Sequence, residues 1–443
     1  MKRLAHDIEA LRKEIASMAK GYGLDFFEVV FELIDPAHLN EIAAYGGFPT
    51  RYPHWRFGMD FDHLTKGYDY GFQKIYELVI NNDPCYAYLM NTNTLLDQKM
   101  VMAHVYAHAD FFKNNFCFKQ THRKMMDEMA NHACRVRSFQ EQWGEEEVES
   151  FIDVCLSLEN LISIYEPYGG KATQPKFPVR DILGFLAVHA PLPDWQRDLL
   201  SLIRQEAYYF APQLQTKIMN EGWASYWHSK ILTEKALKEK EIIDFADHHA
   251  AALSMRPGQM NPYKIGIEIF RDIEDRWNRG KFGPEYEACE DDEVKQDWNQ
   301  QLGLGMKKIF EVRKNYNDIT FIDEFLTSQV CERLQLYVYG YNKRNGTYEI
   351  LDRDCNKVKQ KLLNSLTNFG SPLMEIREVD FEACGGLLLY HHHEGVDLKI
   401  SEAKETLERL EKIWKKTVYV QTVLNGERRL LLYDGHEHKE RSA

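Results

Sequence analysis

The chain of 443 residues has no run of 18 apolar residues, so nothing in it reads as a membrane span. Its start, Met1-Lys2-Arg3-Leu4-Ala5-His6-Asp7, is charged at once and lacks the apolar stretch of a secretory signal. That predicts a cytoplasmic protein. The eight cysteines, at 85, 117, 134, 155, 289, 331, 355 and 384, form no CxxC pair and no close framework. They read as reduced thiols, most of them small buried hydrophobes. Bases are outnumbered by acids, 55 to 68, for a net charge of −13. A chain of that sign gains little from counterion release, which argues against general binding to nucleic-acid backbones. Also missing are the phosphate loop GxxxxGKS/T, a GxGxxG after a strand, the GxSxG nucleophile elbow and HExxH. These absences remove the easy nucleotide, serine-hydrolase and metallopeptidase assignments. No repeat of 20–50 residues is visible, which excludes a solenoid.

What is present is an ordinary globular composition, 44% hydrophobic and 28% charged, which excludes a disordered chain. The length predicts two or three domains. Aromatics are plentiful, 24 Tyr, 24 Phe and 8 Trp, enough for a large core or for the lining of deep pockets. Residues 1–330 carry helical periodicity near 4–20, 62–81, 92–115, 121–142, 145–164, 180–190, 194–235, 240–253, 262–277, 294–314 and 321–327. Asn91-Thr92-Asn93-Thr94 and Asn261-Pro262 read as helix starts, Gly169-Gly170 as a helix end, and Pro212 as a break within 194–235. Residues 331–443 change character. β-branched and aromatic runs, with turns at Asn345-Gly346 and Asn425-Gly426 and helices at 353–367 and 401–416, predict the order ββαββαββ. The tail His436–Arg441 is expected to fray. The fold class predicted is mainly α, a large helical domain over 1–330 followed by a small α+β domain over 331–443.

The chemistry-bearing residues lie on apolar helices. His104 and His108 are spaced i, i+4, which puts them on one face with Cβ atoms roughly 5–6 Å apart, close enough to share a divalent metal. Among 17 histidines such a pair also arises by chance, as two histidines bonded to carboxylates or carbonyls. Glu221 and His228, seven apart, share the face of a second apolar helix. A carboxylate there is costly to bury unless paired or metal-bound, although it can also pair with Lys217. Gly222 beside it weakens the helix by about 1 kcal/mol unless something must come close. Two histidines and a distant Glu form a known zinc ligand set with an open position for water. Glu128 and His132 are a further i, i+4 pair, either orienting a ligand or making a surface contact. Of Asp247-His248-His249, neighbours about 100° apart on a helix, one histidine can add a ligand or a proton shuttle. His391-His392-His393 ends a strand and reads best as a solvated edge. Arg51–Gly58 is an aromatic, basic loop that covers a site, recognises an anion, or packs as structure.

Several segments carry a likeness to a known family: Tyr45–Trp55 (YGGFPTRYPHW), Ile75–Asn81, His108–Asn115, Ala190-Pro191-Leu192, Lys217–Ala224 (KIMNEGWA) and Asn261–Lys264. On these the chain resembles the SpoVR family of stage V sporulation protein R-like proteins, from about residue 5 to 434. The resemblance implies a cytoplasmic bacterial protein linked to spore cortex formation, or to stationary-phase stress in bacteria that form no spores. It also implies a serine protein kinase and a von Willebrand A-like protein as partners. A second likeness concerns the site: HxxxH followed far downstream by Glu-Gly-Trp-Ala is similar to the layout of zincin-type peptidases. It implies a zincin-like helix arrangement with a divalent ion, zinc by ligand type, held by His104, His108 and Glu221. The general-base Glu of HExxH falls here on Val105. Asp110, Glu128, His228 and His249 are then the candidates to move protons, Glu128 and His249 foremost. The expected function is a metal-dependent amide hydrolase. The alternative is a non-catalytic assembly or regulatory protein acting with the kinase.

Overall fold

The computed structural model describes residues 6–69, 77–164, 177–255 and 259–442. In chain order the elements are α1 (His6–Gly21), β1 (Val29–Ile34), α2 (Pro36–Ala44), α3 (Trp55–Asp69), β2 (Leu78–Ile80), β3 (Cys85–Met90) and α4 (Leu95–Asn114). Helices follow: α5 (Met125–Trp143), α6 (Glu145–Leu156), α7 (Ile182–His189), α8 (Asp194–Gln215), α9 (Lys217–Ile231), α10 (Ile242–Ala252) and α11 (Pro262–Arg279). Then come α12 (Pro284–Glu287), α13 (Asp292–Asp297), α14 (Gly305–Asn315), α15 (Asp318–Phe325) and α16 (Ser328–Arg333). The last stretch is β4 (Val338–Asn342), β5 (Thr347–Asp352), α17 (Cys355–Leu366), β6 (Met374–Phe381), β7 (Gly386–His391), α18 (Ile400–Trp414), β8 (Val418–Leu424), β9 (Glu427–Tyr433) and β10 (His438–Ser442).

These elements gather into two compact units, each discontinuous in sequence. The first takes Met1–Thr50, Trp55–Met126 and Pro212–Thr367; the second takes Arg51–His54, Asp127–Ala211 and Asn368–Ala443. The grouping cuts across the sequence boundary near residue 330, because 331–367 pack with the first unit.

The first unit is built on α4 and α9, both buried nearly all round. α4 starts on a reciprocal cap. Thr94 Oγ1 accepts the Asp97 N–H at 3.1 Å, and Asp97 Oδ2 accepts the Thr94 N–H at 3.1 Å. α9 has no such cap of its own, since the Thr216 side chain makes none. Its first N–H groups are taken from outside: those of Ile218 and Met219 donate at 2.8 Å to the two carboxyl oxygens of Asp318 on α15. α9 then crosses α11 through paired glycines. A Cβ on Gly222 would lie 2.4 Å from the Gly266 backbone, and one on Gly266 would lie 2.2 Å from the Ile218 carbonyl oxygen. The close approach foreseen for Gly222 is therefore a helix crossing.

Several expectations are corrected. The helical reading of 1–330 missed a three-stranded sheet, order β1-β3-β2, with β1 parallel and β2 antiparallel to β3. The predicted helix 62–81 is displaced. α3 covers 55–69 and residues 78–80 are strand, while 70–76 lie outside the described residues. Pro212 sits inside α8, and the break comes one turn later at Thr216, whose hydroxyl donates to the Pro212 carbonyl at 2.7 Å. The 294–314 segment is two helices, α13 and α14. Gly169-Gly170 lies outside the described residues.

In the second unit the sheet runs β10-β9-β8-β7-β6, antiparallel except for β7 and β8, which α18 connects in parallel. The turn at Asn425-Gly426 is as expected, with φ of 51° and 81°. The tail does not fray: residues 438–442 pair with 429–433 as an edge strand. The order ββαββαββ therefore gains a ninth element, and its first hairpin, β4–β5, belongs to the first unit.

Candidate metal centre

α4, α9 and the residue preceding β2 bring four ligand-type side chains of the first unit together. One oxygen or nitrogen from each of Glu77, His104, His108 and Glu221 lies within 4.8 Å of all the others. His104 Nε2 is 3.1 Å from Glu77 and 3.5 Å from Glu221, and His108 Nε2 is 3.5 Å from the same Glu221 oxygen. His104 Nε2 and Glu221 Oε2 are buried yet make no hydrogen bond among the described residues. Both atoms face the centre of the cluster rather than a partner of their own. Two imidazoles and two carboxylates so placed are a donor set that could hold a divalent metal ion.

The far sides of the imidazoles are tied. His108 Nδ1 is 2.8 Å from Asn220 Oδ1, an oxygen that can only accept. Nδ1 therefore carries the proton and Nε2 is left as a lone pair facing the cluster. His104 Nδ1 is 2.9 Å from His228 Nδ1, and His228 Nε2 is 3.0 Å from His249 Nδ1, so three imidazoles form a chain from the cluster to α10. Burial pulls His104 down, but Glu77 and then Glu221 outweigh it and raise it to about 9. Burial would raise Glu221; the facing imidazoles of His104 and His108 prevail and hold it well below the carboxylate range. His228 is driven well down by burial and by His104, and His249 down to about 4 by burial and then by Arg271. The Tyr263 hydroxyl is pushed up by burial and by Glu221 and Glu77, so it stays a phenol.

A cavity of about 480 Å³ opens beside these groups, with Glu77, His104, His228 and Tyr263 on its polar side and Met100 and Val101 on its apolar side. His248 also lines it, its Nδ1 3.1 Å from Asp97. Of the adjacent histidines on α10, one therefore joins the imidazole chain and the other pairs with the cap of α4.

The remaining candidates lie elsewhere. Glu128 is half-buried on α5 in the second unit and does not line the cavity. Its expected partner, His132, is instead fully buried, 2.9 Å from Glu206 and 3.2 Å from Gln205. Glu206 also pairs with Arg51 at 2.6 Å, which makes the start of the Arg51–Gly58 segment a buried ionic anchor of that unit. Asp110, fully buried, accepts from the Asp25 N–H at 2.8 Å and from Trp223 Nε1 at 2.9 Å, with Arg313 at 3.5 Å. It ties helices together. Nor is His391-His392-His393 one solvated edge: His391 is buried against Thr422 at 2.8 Å, His392 meets Glu375 at 2.8 Å and His393 meets Asp397 at 2.7 Å. Glu77, Asn220 and Tyr263 were missed as site residues, although each lies within a segment that carried the family likeness.

Residues 2–176 and 165–371 match the family described as SpoVR like protein. The chain belongs to this family. A relative in Escherichia coli strain K12, the uncharacterized protein YcgB, is 28% identical over 463 residues, covering 90% of this chain and 89% of that protein. No solved structure matches. Among the described residues, no helix of this SpoVR chain is long and apolar enough to cross a membrane.

Proposed function

We propose that His104, His108 and Glu221 hold a divalent metal ion of zinc type in a zincin-like helix arrangement, with Glu77 beside it, and that the site hydrolyses an amide bond. The reading is carried by the convergence of four ligand atoms within 4.8 Å, two of them buried and without a hydrogen bond. A bound ion supplies Lewis-acid charge for an amide carbonyl and a nucleophile that ionises near neutral pH. The residues do the rest. Asn220 fixes the tautomer of His108. Glu77, on the cavity wall, supplies the carboxylate that HExxH helices carry where this chain has Val105, and takes the proton of the attacking water. His228 engages Nδ1 of His104, so Nε2 is the nitrogen left to the ion. Glu128 has no part in this reading.

Elemental analysis of purified protein, rinsed with chelator and reloaded with zinc, is the test. One ion per chain, lost in His108→Ala and Glu221→Gln, is expected. Glu77→Gln is expected to retain the ion, more weakly, and to lose about 10²–10⁴-fold in amide hydrolysis. Failure of the parent chain to take up metal after reloading would overturn the reading. One observation favours a second reading, that of an assembly protein docking a serine protein kinase. Val105 is fully buried and apolar at the position where a peptidase helix carries its acid. Stoichiometric metal without amide turnover, and with unfolding on its removal, would select that reading.

A further inference from the structure

Away from the cluster, two thiols of the first unit stand in contact. Cys331 Sγ and Cys355 Sγ are 2.7 Å apart across 24 residues of chain. A disulfide bond measures about 2.05 Å, so a small side-chain rotation closes the gap. Cys331 lies on α16, 3% exposed, among the buried Val330, Leu334 and Leu336. Cys355 opens α17 and is half-buried, the more accessible sulfur of the two. Between them stands the β4–β5 hairpin, whose turn exposes Lys343 and Arg344. The two sulfurs thus sit at the base of an exposed ribbon whose strands leave from one helix and return to the other. Burial, and then the neighbouring Cys355, push the Cys331 thiol up, so it waits uncharged.

We propose that Cys331 and Cys355 are a reversible redox-modification site closed by a peroxide. The Cys355 sulfur attacks the peroxide: an S–O bond forms, the O–O bond breaks and one water leaves, giving a sulfenic acid. The Cys331 sulfur then attacks Cys355 Sγ. The S–S bond forms, the S–O bond breaks, and the thiol proton of Cys331 leaves with the hydroxyl as a second water. Two thiols are oxidised and one peroxide is reduced to two waters. A dithiol reductant reverses the bond. The closed ring spans residues 331–355, fixes α16 to α17 and clamps the hairpin at its base. This inference uses no part of the metal reading.

The test treats the full chain with hydrogen peroxide, then maps thiols and cross-links by mass spectrometry. The expected product is the intact chain lighter by two hydrogens, with a peptide linking 331 to 355 that dithiothreitol releases. A tryptic cut at Lys343 or Arg344 should leave the two fragments joined on a non-reducing gel and separate on a reducing one. Cys331→Ser should trap the sulfenic acid on Cys355, detected with dimedone, and Cys355→Ser should give no cross-link. Oxidation confined to the exposed Cys134 and Cys384, with 331 and 355 still free in folded protein, would overturn the proposal. So would a cross-link that pairs either cysteine with another.

Discussion

At the scale of single residues, buried carboxyl groups divide by what faces them. Glu221 faces two imidazoles and is held ionised against burial. Asp318 accepts two backbone N–H groups, but burial, helped by the charge of Glu221, wins and raises it to about 7 from 3.8. The folded-state value lies above the unfolded one, so the sign follows. Below pH 3.8 both states are protonated and nothing is lost. As pH rises toward 7 the unfolded chain ionises freely while the native carboxyl resists, and stability falls by an amount on the order of a few kcal/mol. Asp318→Asn still offers an acceptor to the start of α9 but cannot ionise. Urea unfolding at pH 5 and pH 8 should show the wild-type advantage over Asp318→Asn narrowing at the higher pH. A widening gap would mean that the carboxylate anchors α9 as an anion. This capping role could not be read in the sequence, because the cap lies 99–100 residues from the N–H groups it serves. Glu77 was hidden for a related reason: it precedes a strand, and no helical spacing connects it to His104 or Glu221.

At the scale of elements, Gly222 reverses an ordinary expectation. Gly→Ala inside a helix normally gains about 1 kcal/mol. Here the added carbon would meet the Gly266 backbone at 2.4 Å, and backbone cannot rotate away. Overpacking of this kind costs typically about 1–3 kcal/mol, so the clash outweighs the propensity. Gly222→Ala should lower the urea midpoint, and Gly266→Ala should do the same. An unchanged or higher midpoint in both would mean that α9 and α11 separate freely. The sequence signalled that something must come close at Gly222, since a helix-weakening residue sat beside a functional candidate. Which helix came close was not signalled. Caps with local chemistry were legible, as at Asn261, whose side chain accepts the Lys264 N–H at 3.2 Å. The strands 29–34 and 85–90 were not. They pair in parallel and are almost wholly apolar in sequence, VVFELI and CYAYLM, so they lack the polar–apolar alternation that marks a strand.

At the scale of the whole molecule, the helical and α+β characters were legible, but their grouping was not. Local pattern reports what an element is, whereas the first unit is assembled from three separated stretches. The proposed ligands, His104 and His108 on α4 and Glu221 on α9, fall in that unit together with Glu77 before β2. A cation bound to the native state stabilises what holds it, by about 2.7 kcal/mol at one hundred times its dissociation constant. Hydrogen exchange should therefore slow on zinc addition in 95–114 and 217–231, the two helices whose opening would break the cluster. The sheet strands 386–391 and 418–433 of the second unit carry none of these four residues, and His391, His392 and His393 each have a separate partner there. Protection that appeared in those strands instead, and persisted in Glu221→Gln, would place the bound zinc on the histidine run and remove the metal from the cluster on α4 and α9.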